Sequence, residues 1–341
     1  MKAWVVRELG GPEVLTLETF QPPPPTAGLV RIAVETAAVN FFDSLQIAGS
    51  YQVKPELPFV PGAEAAGTVV AAPADSDFNC GDRVLARLGQ NGLLGGGYSE
   101  LVDALPELTV RLPDEMPFDE AAGFFINYQT GWFGLMRRAR LQPGEVVLVH
   151  AGAGGVGSAA IQLAKAAEAR VVATAGSAQK VALCRELGAD LAIDYRTEDF
   201  VEAVKAFTGG RGADVVYDPV GGDVFDRSTK CIAFEGRIVV VGFTSGRIPE
   251  ARANHVLIKN YAVVGLHWGL YQKMAPRLID EATAQLFELY AQGKIRPHIS
   301  RRFPLEQAPT AIAEVTGRQS TGKVVLVTHP AESSSPRHGK R

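Results

Sequence analysis

The sequence predicts an α/β protein in which a doubly wound parallel sheet is combined with a second, β-rich domain that forms an antiparallel barrel. From Glu145 onward, short apolar runs alternate with amphipathic stretches, as in parallel strands joined by crossover helices. The first of these runs opens directly into a glycine-rich turn and another helix. The first third of the chain, by contrast, is a series of short Val-, Ile- and Thr-rich segments separated by turn residues.

In chain order, strands are expected over residues 1–7, 14–19 and 29–39, the last two divided by the proline run Pro22 to Pro25. Further strands are expected at 66–72 and 83–88, on either side of the turn Asn79-Cys80-Gly81-Asp82. The glycine-rich loop 92–97 then leads into an extended stretch at 98–105. A helical pattern begins near Pro117. The parallel strands follow at 146–150, 170–174, 191–194, 213–218, 237–242 and 261–265, with helices at 157–168, 180–187 and 198–208 among them. A long helix over 275–292 precedes a closing strand at 323–328 that returns the chain to its first domain. The expected organisation is a barrel domain over 1–127, a dinucleotide-type domain over 128–267, a return to the first domain over 268–330 and a disordered tail over 331–341.

The 341 residues are 46% hydrophobic and 21% charged, enough apolar surface for two cores. A net charge of −3 and an isoelectric point near 6.1 offer no attraction to nucleic acid or to an anionic membrane. Charge interrupts the N-terminal apolar run before it could serve as a signal core, so a cytoplasmic protein acting on a small molecule is expected. The three cysteines, Cys80, Cys184 and Cys231, are too few for a disulfide framework or a four-thiolate zinc site.

The chemistry begins at the glycine turn. Strand 146–150 runs into Ala151-Gly152-Ala153-Gly154-Gly155-Val156-Gly157, followed at once by a helix. Glycine is needed there for the turn, for close approach of a pyrophosphate and for helix packing, while the helix N-terminus supplies N–H groups and a positive dipole. An NAD-preferring site carries an acidic residue about 20 positions on, to hold the ribose hydroxyls. This chain instead has Gly176-Ser177 and, three residues later, Lys180: a gap, a hydroxyl and a cation suited to an added phosphate. NADPH is therefore the expected cofactor; Ser177 is equally suited to capping the next helix, and the two roles are compatible.

Taken together, these features resemble the medium-chain dehydrogenase/reductase superfamily, specifically its zinc-independent quinone oxidoreductase branch, which includes zeta-crystallin. The resemblance runs through Val39-Asn40-Phe41-Phe42-Asp43, Leu57-Pro58-Phe59-Val60-Pro61-Gly62-Ala63-Glu64, Gly81-Asp82-Arg83-Val84, Thr130-Gly131-Trp132, Tyr217-Asp218-Pro219-Val220-Gly221-Gly222 and Gly322-Lys323-Val324-Val325. It implies a Rossmann domain and a GroES-like catalytic domain. Zinc-dependent alcohol dehydrogenases of the superfamily have Gly-His-Glu where this chain has Gly62-Ala63-Glu64, and Ala63 cannot ligate a metal. No metal is expected, and Glu64 is expected to order backbone or a neighbouring arginine.

The resemblance further implies that Ser177 and Lys180 bind the 2′-phosphate, with Tyr195 beside the adenosine and Arg318 near the same phosphate. Asn40 and Thr130 are implied near the nicotinamide and its ribose, and Phe243 and Ser245 over the carboxamide. Tyr51 is the candidate proton donor or aromatic wall of the acceptor site, with Trp268 a second wall. His150 and His267 are expected to be structural. The expected activity is NADPH:quinone reduction by a homodimer. Reduction of 2-alkenal or enone double bonds, and a low-turnover NADPH-binding role, are the alternatives the sequence leaves open.

Overall fold

The computed structural model describes residues 1–52, 54–89 and 92–328. They divide into two compact units. One comprises Met1–Gly123, Ile299–Ser320 and the strand from Val324; the other comprises Phe124–His298 and Thr321–Lys323.

The first unit opens with an antiparallel hairpin, β1 (Lys2–Val6) and β2 (Leu15–Thr19). Hydrogen bonds from Trp4 N to Tyr98 O (2.9 Å) and from Val6 N to Phe59 O (2.8 Å) tie the hairpin to the rest of the unit. Then come β3 (Val30–Val39), helix α1 (Phe41–Ile47), β4 (Glu64–Ala71), β5 (Arg83–Arg87), β6 (Leu101–Ala104), β7 (Thr109–Arg111) and helix α2 (Phe118–Ala122). Strand β3 is the spine of the unit: its residues are almost all buried, and it pairs antiparallel with both β4 and β6. Strand β4 is buried over residues 64–67 and β5 over residues 84–86, so both faces of these strands are covered there.

The second unit begins with α3 (Phe125–Trp132), whose continuation over Phe133–Arg138 widens into a π-helical turn. Strand β8 (Val146–Val149) is fully buried along its length. It is followed by α4 (Gly155–Ala166), β9 (Arg170–Ala175), α5 (Ala178–Glu186), β10 (Leu191–Asp194), α6 (Phe200–Phe207), β11 (Ala213–Asp218), α7 (Gly222–Ser228), β12 (Ile232–Val240), α8 (Ala253–Lys259) and β13 (Ala262–Gly265). All six strands are parallel, in the order β10-β9-β8-β11-β12-β13. The strand order reverses between β8 and β11, and ligands of such sheets bind outside the carboxyl ends at that switch. Near-continuous Val, Ile and Leu runs follow from burial on both faces. Among the described residues no helix is long and apolar enough to cross a membrane.

One expected boundary is corrected by packing. The chain does not leave this unit at residue 268: α9 (Trp268–Met274) and α10 (Pro276–Ala291) remain part of it. Helix α10 buries Ile279, Ala282, Thr283 and Leu286, the one-sided spacing of an amphipathic helix. From α3, Gln129 Nε2 donates to Thr283 Oγ1 at 2.8 Å and to Ile279 O at 3.2 Å. The Phe125 ring meets Trp268 edge-on with centroids 5.8 Å apart, and Phe133 lies 4.3 Å from Tyr271. The return comes only with β14 (Ile299–Pro304), α11 (Ala308–Thr316) and β15 (Lys323–Val327), which complete a seven-stranded sheet ordered β14-β15-β3-β4-β5-β7, with β6 on β3. The tail expected at 331–341 lies outside the described residues.

Candidate functional site

Apart from Thr130 on α3, the candidate cofactor residues of the second unit follow the carboxyl ends of parallel strands. After β8, Ala151 takes a left-handed φ of +50° and the chain turns through Gly152 and Gly154 into α4, for which Gly154 is the N-cap. A side chain at Gly157 would strike the Ala151 carbonyl oxygen, with the Ala151 carbonyl carbon and Gly152 Cα both 2.8 Å away. A side chain at Gly152 would lie 2.9 Å from Ala173 Cβ and 3.0 Å from Cys184 Sγ, so the turn is pressed onto β9 and α5. Gly154 differs: a Cβ there would meet only Ala151 O, at 3.2 Å, and its other side is open. Gly155 packs toward Asn127, and Ala153 O accepts a bond from Gly322 N at 2.8 Å. The first-turn N–H groups of α4, from Gly155, Val156 and Gly157, have no acceptor within their own helix. An open glycine edge combined with those N–H groups is a setting in which a helix start can receive an anionic group.

At the end of β9 the chain passes through Gly176 to Ser177, which caps α5: its hydroxyl accepts from Lys180 N at 3.3 Å. The capping role thus holds. A side chain at Gly176 would collide with the Tyr195 hydroxyl, so the Tyr195 ring lies against this glycine, 46% exposed. The parallel pairing of Asp194 with Ala175 brings Tyr195 and Arg196 alongside Gly176 and Ser177. Partial burial, and then the charge of Arg196, lower the pKa of Lys180. Two cations therefore face one capped helix start. Arg196 is a residue the sequence reading missed, because its nearness to Lys180 depends on strand register.

After β11, the buried Asp218 carboxylate accepts from Val220 N (2.8 Å) and Gly221 N (2.9 Å), shaping the turn into α7. Burial raises its pKa against the pull of those two donors. The loop after β12 lies on this turn: side chains at Gly221 and Gly222 would come within 2.9 Å of Phe243 Cδ1 and 2.7 Å of Ser245 Oγ. Thr130, buried on α3, donates its hydroxyl proton to Ile126 O at 2.6 Å, leaving oxygen lone pairs as its offer to a ligand. His150 lies between Thr174 Oγ1 (3.0 Å) and Ser228 Oγ (2.8 Å), and burial pushes its pKa down to about 3. It is a neutral structural histidine, as expected.

In the first unit, Asn40 precedes α1, and Asp43 in its first turn reaches back to accept from Asn40 N at 2.8 Å. The Asn40 amide donates to Glu64 Oε1 at 3.2 Å, and Tyr98 donates its hydroxyl to Asp43 Oδ2 at 3.0 Å. Asp43, Glu64 and Tyr98 are all fully buried. Glu64 pairs across the β4–β5 ladder with Arg87, so the neighbouring arginine expected for Glu64 is present. Tyr51 lies 5.4 Å from the Phe42 ring, its pKa raised by burial and by Asp43 and lowered by Arg87. Arg318 follows α11 with φ +56°, exposed, in this unit, whereas Ser177 and Lys180 belong to the other.

Among the described residues no three His, Cys, Asp or Glu side chains are placed to share a metal ion. Burial pushes the thiols of Cys184 and Cys231 up to about 12, so both are neutral.

Two family models match the chain: the alcohol dehydrogenase GroES-like domain over residues 26–114, and the zinc-binding dehydrogenase domain over 155–284. A quinone oxidoreductase-like protein 2 homolog of Nematostella vectensis is 41% identical, covering 96% of this chain and 89% of the relative. The Escherichia coli quinone oxidoreductase, solved in complex with NADPH, superimposes with a TM-score of 0.87 at 32% identity, covering 96% of this chain and all of that one (100%). Mycobacterial Rv1454c, also solved with NADPH, gives a TM-score of 0.87 at 32% identity over 96% of this chain and 99% of that one. Although one matching model is described as zinc-binding, alanine stands between Gly62 and Glu64, and among the described residues no ligand cluster replaces the missing histidine. The chain belongs to the medium-chain dehydrogenase/reductase superfamily of oxidoreductases, in its zinc-independent quinone oxidoreductase branch.

Proposed function

We propose that this oxidoreductase is an NADPH-dependent, metal-free quinone reductase working as a cytoplasmic homodimer. The observation that carries the cofactor assignment is the convergence of Ser177, Lys180 and Arg196 on one strand edge that lacks the acid of an NAD site. When bound, NADPH supplies the hydrogen and electron pair that reduce the acceptor. Ala153, Gly154, Gly155, Val156 and Gly157 hold the pyrophosphate, and Gly176 leaves room for the ribose phosphate at Ser177 and Lys180. Tyr195 packs on the adenosine. Phe243 and Ser245 cover the carboxamide, and Thr130 accepts a hydrogen bond from the nicotinamide ribose. These contributions position reactants and stabilise charge.

A quinone takes one hydride and one proton to become a hydroquinone, and Tyr51 is the proposed source of that proton. Its hydroxyl stays protonated at neutral pH, and the Arg87 cation beside it favours release. The test is a steady-state panel of quinones and enones under NADPH oxidation, with and without exhaustive chelation. Quinone turnover indifferent to chelation is expected. Turnover of enones alone would replace the reading with alkene reduction, inactivity toward both classes would sink it, and zinc dependence would overturn the metal-free assignment.

The homodimer reading rests on the outer edge of the parallel sheet, where β13 ends the strand order and the elements before it expose Phe234 (70%) on β12 and Leu257 (76%) and Ile258 (75%) on α8. Such an edge, left open, is a template for pairing. Sedimentation at micromolar concentration should give twice the chain mass, and Leu257→Glu with Ile258→Glu should give the monomer; a wild-type monomer would refute the assignment.

A further inference from the structure

The buried polar cluster of the first unit contains a cation, Arg87, whose part toward the acceptor itself goes beyond its influence on Tyr51. Arg87 ends β5 directly across from Glu64, the first residue of β4. Side chains so paired share a face of the sheet, close enough to interact. Glu64 is itself fixed, fully buried and accepting from the Asn40 amide at 3.2 Å. Asn40 in turn starts α1, whose Asp43 is held by Tyr98. A chain of hydrogen bonds thus runs from Tyr98 through Asp43 and Asn40 to Glu64, with Arg87 opposite Glu64 on the neighbouring strand. The Arg87 guanidinium also shares its electrostatic surroundings with Tyr51.

The charges of the cluster are countable. Asp43 and Glu64 are its carboxyl groups. Tyr98, pushed well up by burial, keeps its proton and donates to Asp43. Tyr51 is likewise protonated at neutral pH, and Arg87 is the cation. Burial lowers the pKa of Arg87 to about 10 while Tyr51 and Glu64 oppose the shift, so the guanidinium remains charged at neutral pH. A half-buried cation is costly to hold unless it is paired, and the Glu64 carboxyl group opposite offsets part of that cost. A guanidinium is planar and presents its N–H donors in more than one direction, so one edge can face a carboxylate while another faces a second oxygen. A lysine has no such fork.

We propose that Arg87, oriented by Glu64, hydrogen-bonds the carbonyl oxygen of the acceptor beside the Tyr51 hydroxyl, and so selects acceptors whose conjugated carbonyl becomes an oxyanion on reduction. This rests on the reading of the chain as a reductase of quinones or enones. As the carbonyl oxygen takes up negative charge, its bond to a fixed cation strengthens, which is the form of stabilisation that accelerates a reaction. The Tyr51 O–H bond then breaks, a new O–H bond forms on the acceptor, and the tyrosinate recovers a proton from water. Arg87 changes neither its bonds nor its protonation. It also lowers the cost of the transient tyrosinate, since a neighbouring cation favours a phenolate.

The experiment compares wild type with Arg87→Gln and Arg87→Lys in three readouts. In turnover, Arg87→Gln should lower kcat/KM for quinone at least about 30-fold, the loss of one charge-assisted hydrogen bond, and Arg87→Lys about tenfold for want of the fork. NADPH affinity by fluorescence titration should stay within twofold for both. In pH profiles, the alkaline limb should move to higher pH in Arg87→Gln, because without the cation the Tyr51 phenol holds its proton longer. A purely structural arginine would leave that limb in place. In binding without turnover, 4-nitrophenol, whose phenolate is read by absorbance, should bind the NADP⁺-loaded wild type and lose at least about tenfold in affinity in Arg87→Gln, again one charge-assisted bond.

If wild type reduces quinones while both variants match it within threefold, with the limb unmoved and 4-nitrophenol bound equally, the proposal is overturned and the quinone reductase reading stands. If wild type reduces no acceptor, yet binds 4-nitrophenol through Arg87, the reading falls and the oxyanion site stands. Equal 4-nitrophenol binding in an inactive wild type and its variants overturns both. Should Arg87→Gln fail to fold, Arg87→Lys, which keeps the charge opposite Glu64, decides by the same criteria.

Discussion

Substituting alanine for Gly157 should strongly weaken both dinucleotide binding and the fold, whereas alanine at Gly154 should weaken binding alone. The two glycines belong to one turn but do different work. At Gly157 the added carbon meets backbone, the Ala151 carbonyl and Gly152 Cα, in a turn already held with Ala151 at positive φ. Neither atom belongs to a side chain that could swing aside, so α4 must move away from β8. Overpacking of this kind costs about 1–3 kcal/mol, and the melting temperature of the cofactor-free protein should fall by several degrees. At Gly154 the φ of −84° suits alanine, and the nearest atom, Ala151 O, is 3.2 Å from the added carbon. The fold should tolerate that contact. The methyl group would instead occupy the open side against which the pyrophosphate must lie. Both variants should lose at least about a hundredfold in affinity for NADPH and NADH alike, about 2.8 kcal/mol. Thermal melts of the cofactor-free proteins, with fluorescence titrations of both nucleotides, separate the two effects. A Gly154→Ala protein that binds NADPH like wild type would refute a pyrophosphate site at this turn.

The contrast also explains which parts of this protein can be read from residues alone. The six parallel strands were legible because burial on both faces leaves uninterrupted runs such as Val146 to Val149, and the glycine turn follows the first of them directly. Strand β12 begins earlier than its apolar run, because the exposed Phe234 and Glu235 interrupt the pattern and the pairing with β11 shifts register between Ala213 and Val215. The domain return was misplaced by some thirty residues for a different reason. The pattern of α10 says that one face is buried but not against what, and the answer, Gln129 and its neighbours on α3, lies 150 positions away. The site divides the same way. Ser177 and Lys180 are close in sequence, so the pair can be proposed from it alone. Arg196 and Arg87 become neighbours of Lys180 and Glu64 only through strand pairing, Asp194 with Ala175 and Glu64 with Arg87, and no local pattern announces either.

The pairing at β9 and β10 makes the second large prediction, which concerns discrimination between the two nicotinamide dinucleotides. Lys180→Ala should weaken NADPH about 30-fold while changing NADH by less than about twofold, since a charge-assisted hydrogen bond to the extra phosphate is worth about 1.5–3 kcal/mol. Arg196→Ala should act in the same direction with a smaller effect, because Arg196 is exposed where Lys180 is partly buried, and solvent screens its charge. The two cations also oppose each other without ligand: burial first, and Arg196 second, lower the Lys180 pKa. A phosphate between them removes that repulsion, so NADPH binding raises the Lys180 pKa and is coupled to proton uptake at alkaline pH. Affinity should therefore fall as pH rises through the ammonium's lowered pKa, and in Arg196→Ala this fall should begin at higher pH. Losing Arg196 restores part of the lysine's basicity while removing a phosphate contact. NADH affinity should show neither dependence. Parallel titrations of NADPH and NADH across the alkaline range decide the matter: an equal loss for both nucleotides in Lys180→Ala would mean that the lysine supports the α5 turn rather than the phosphate.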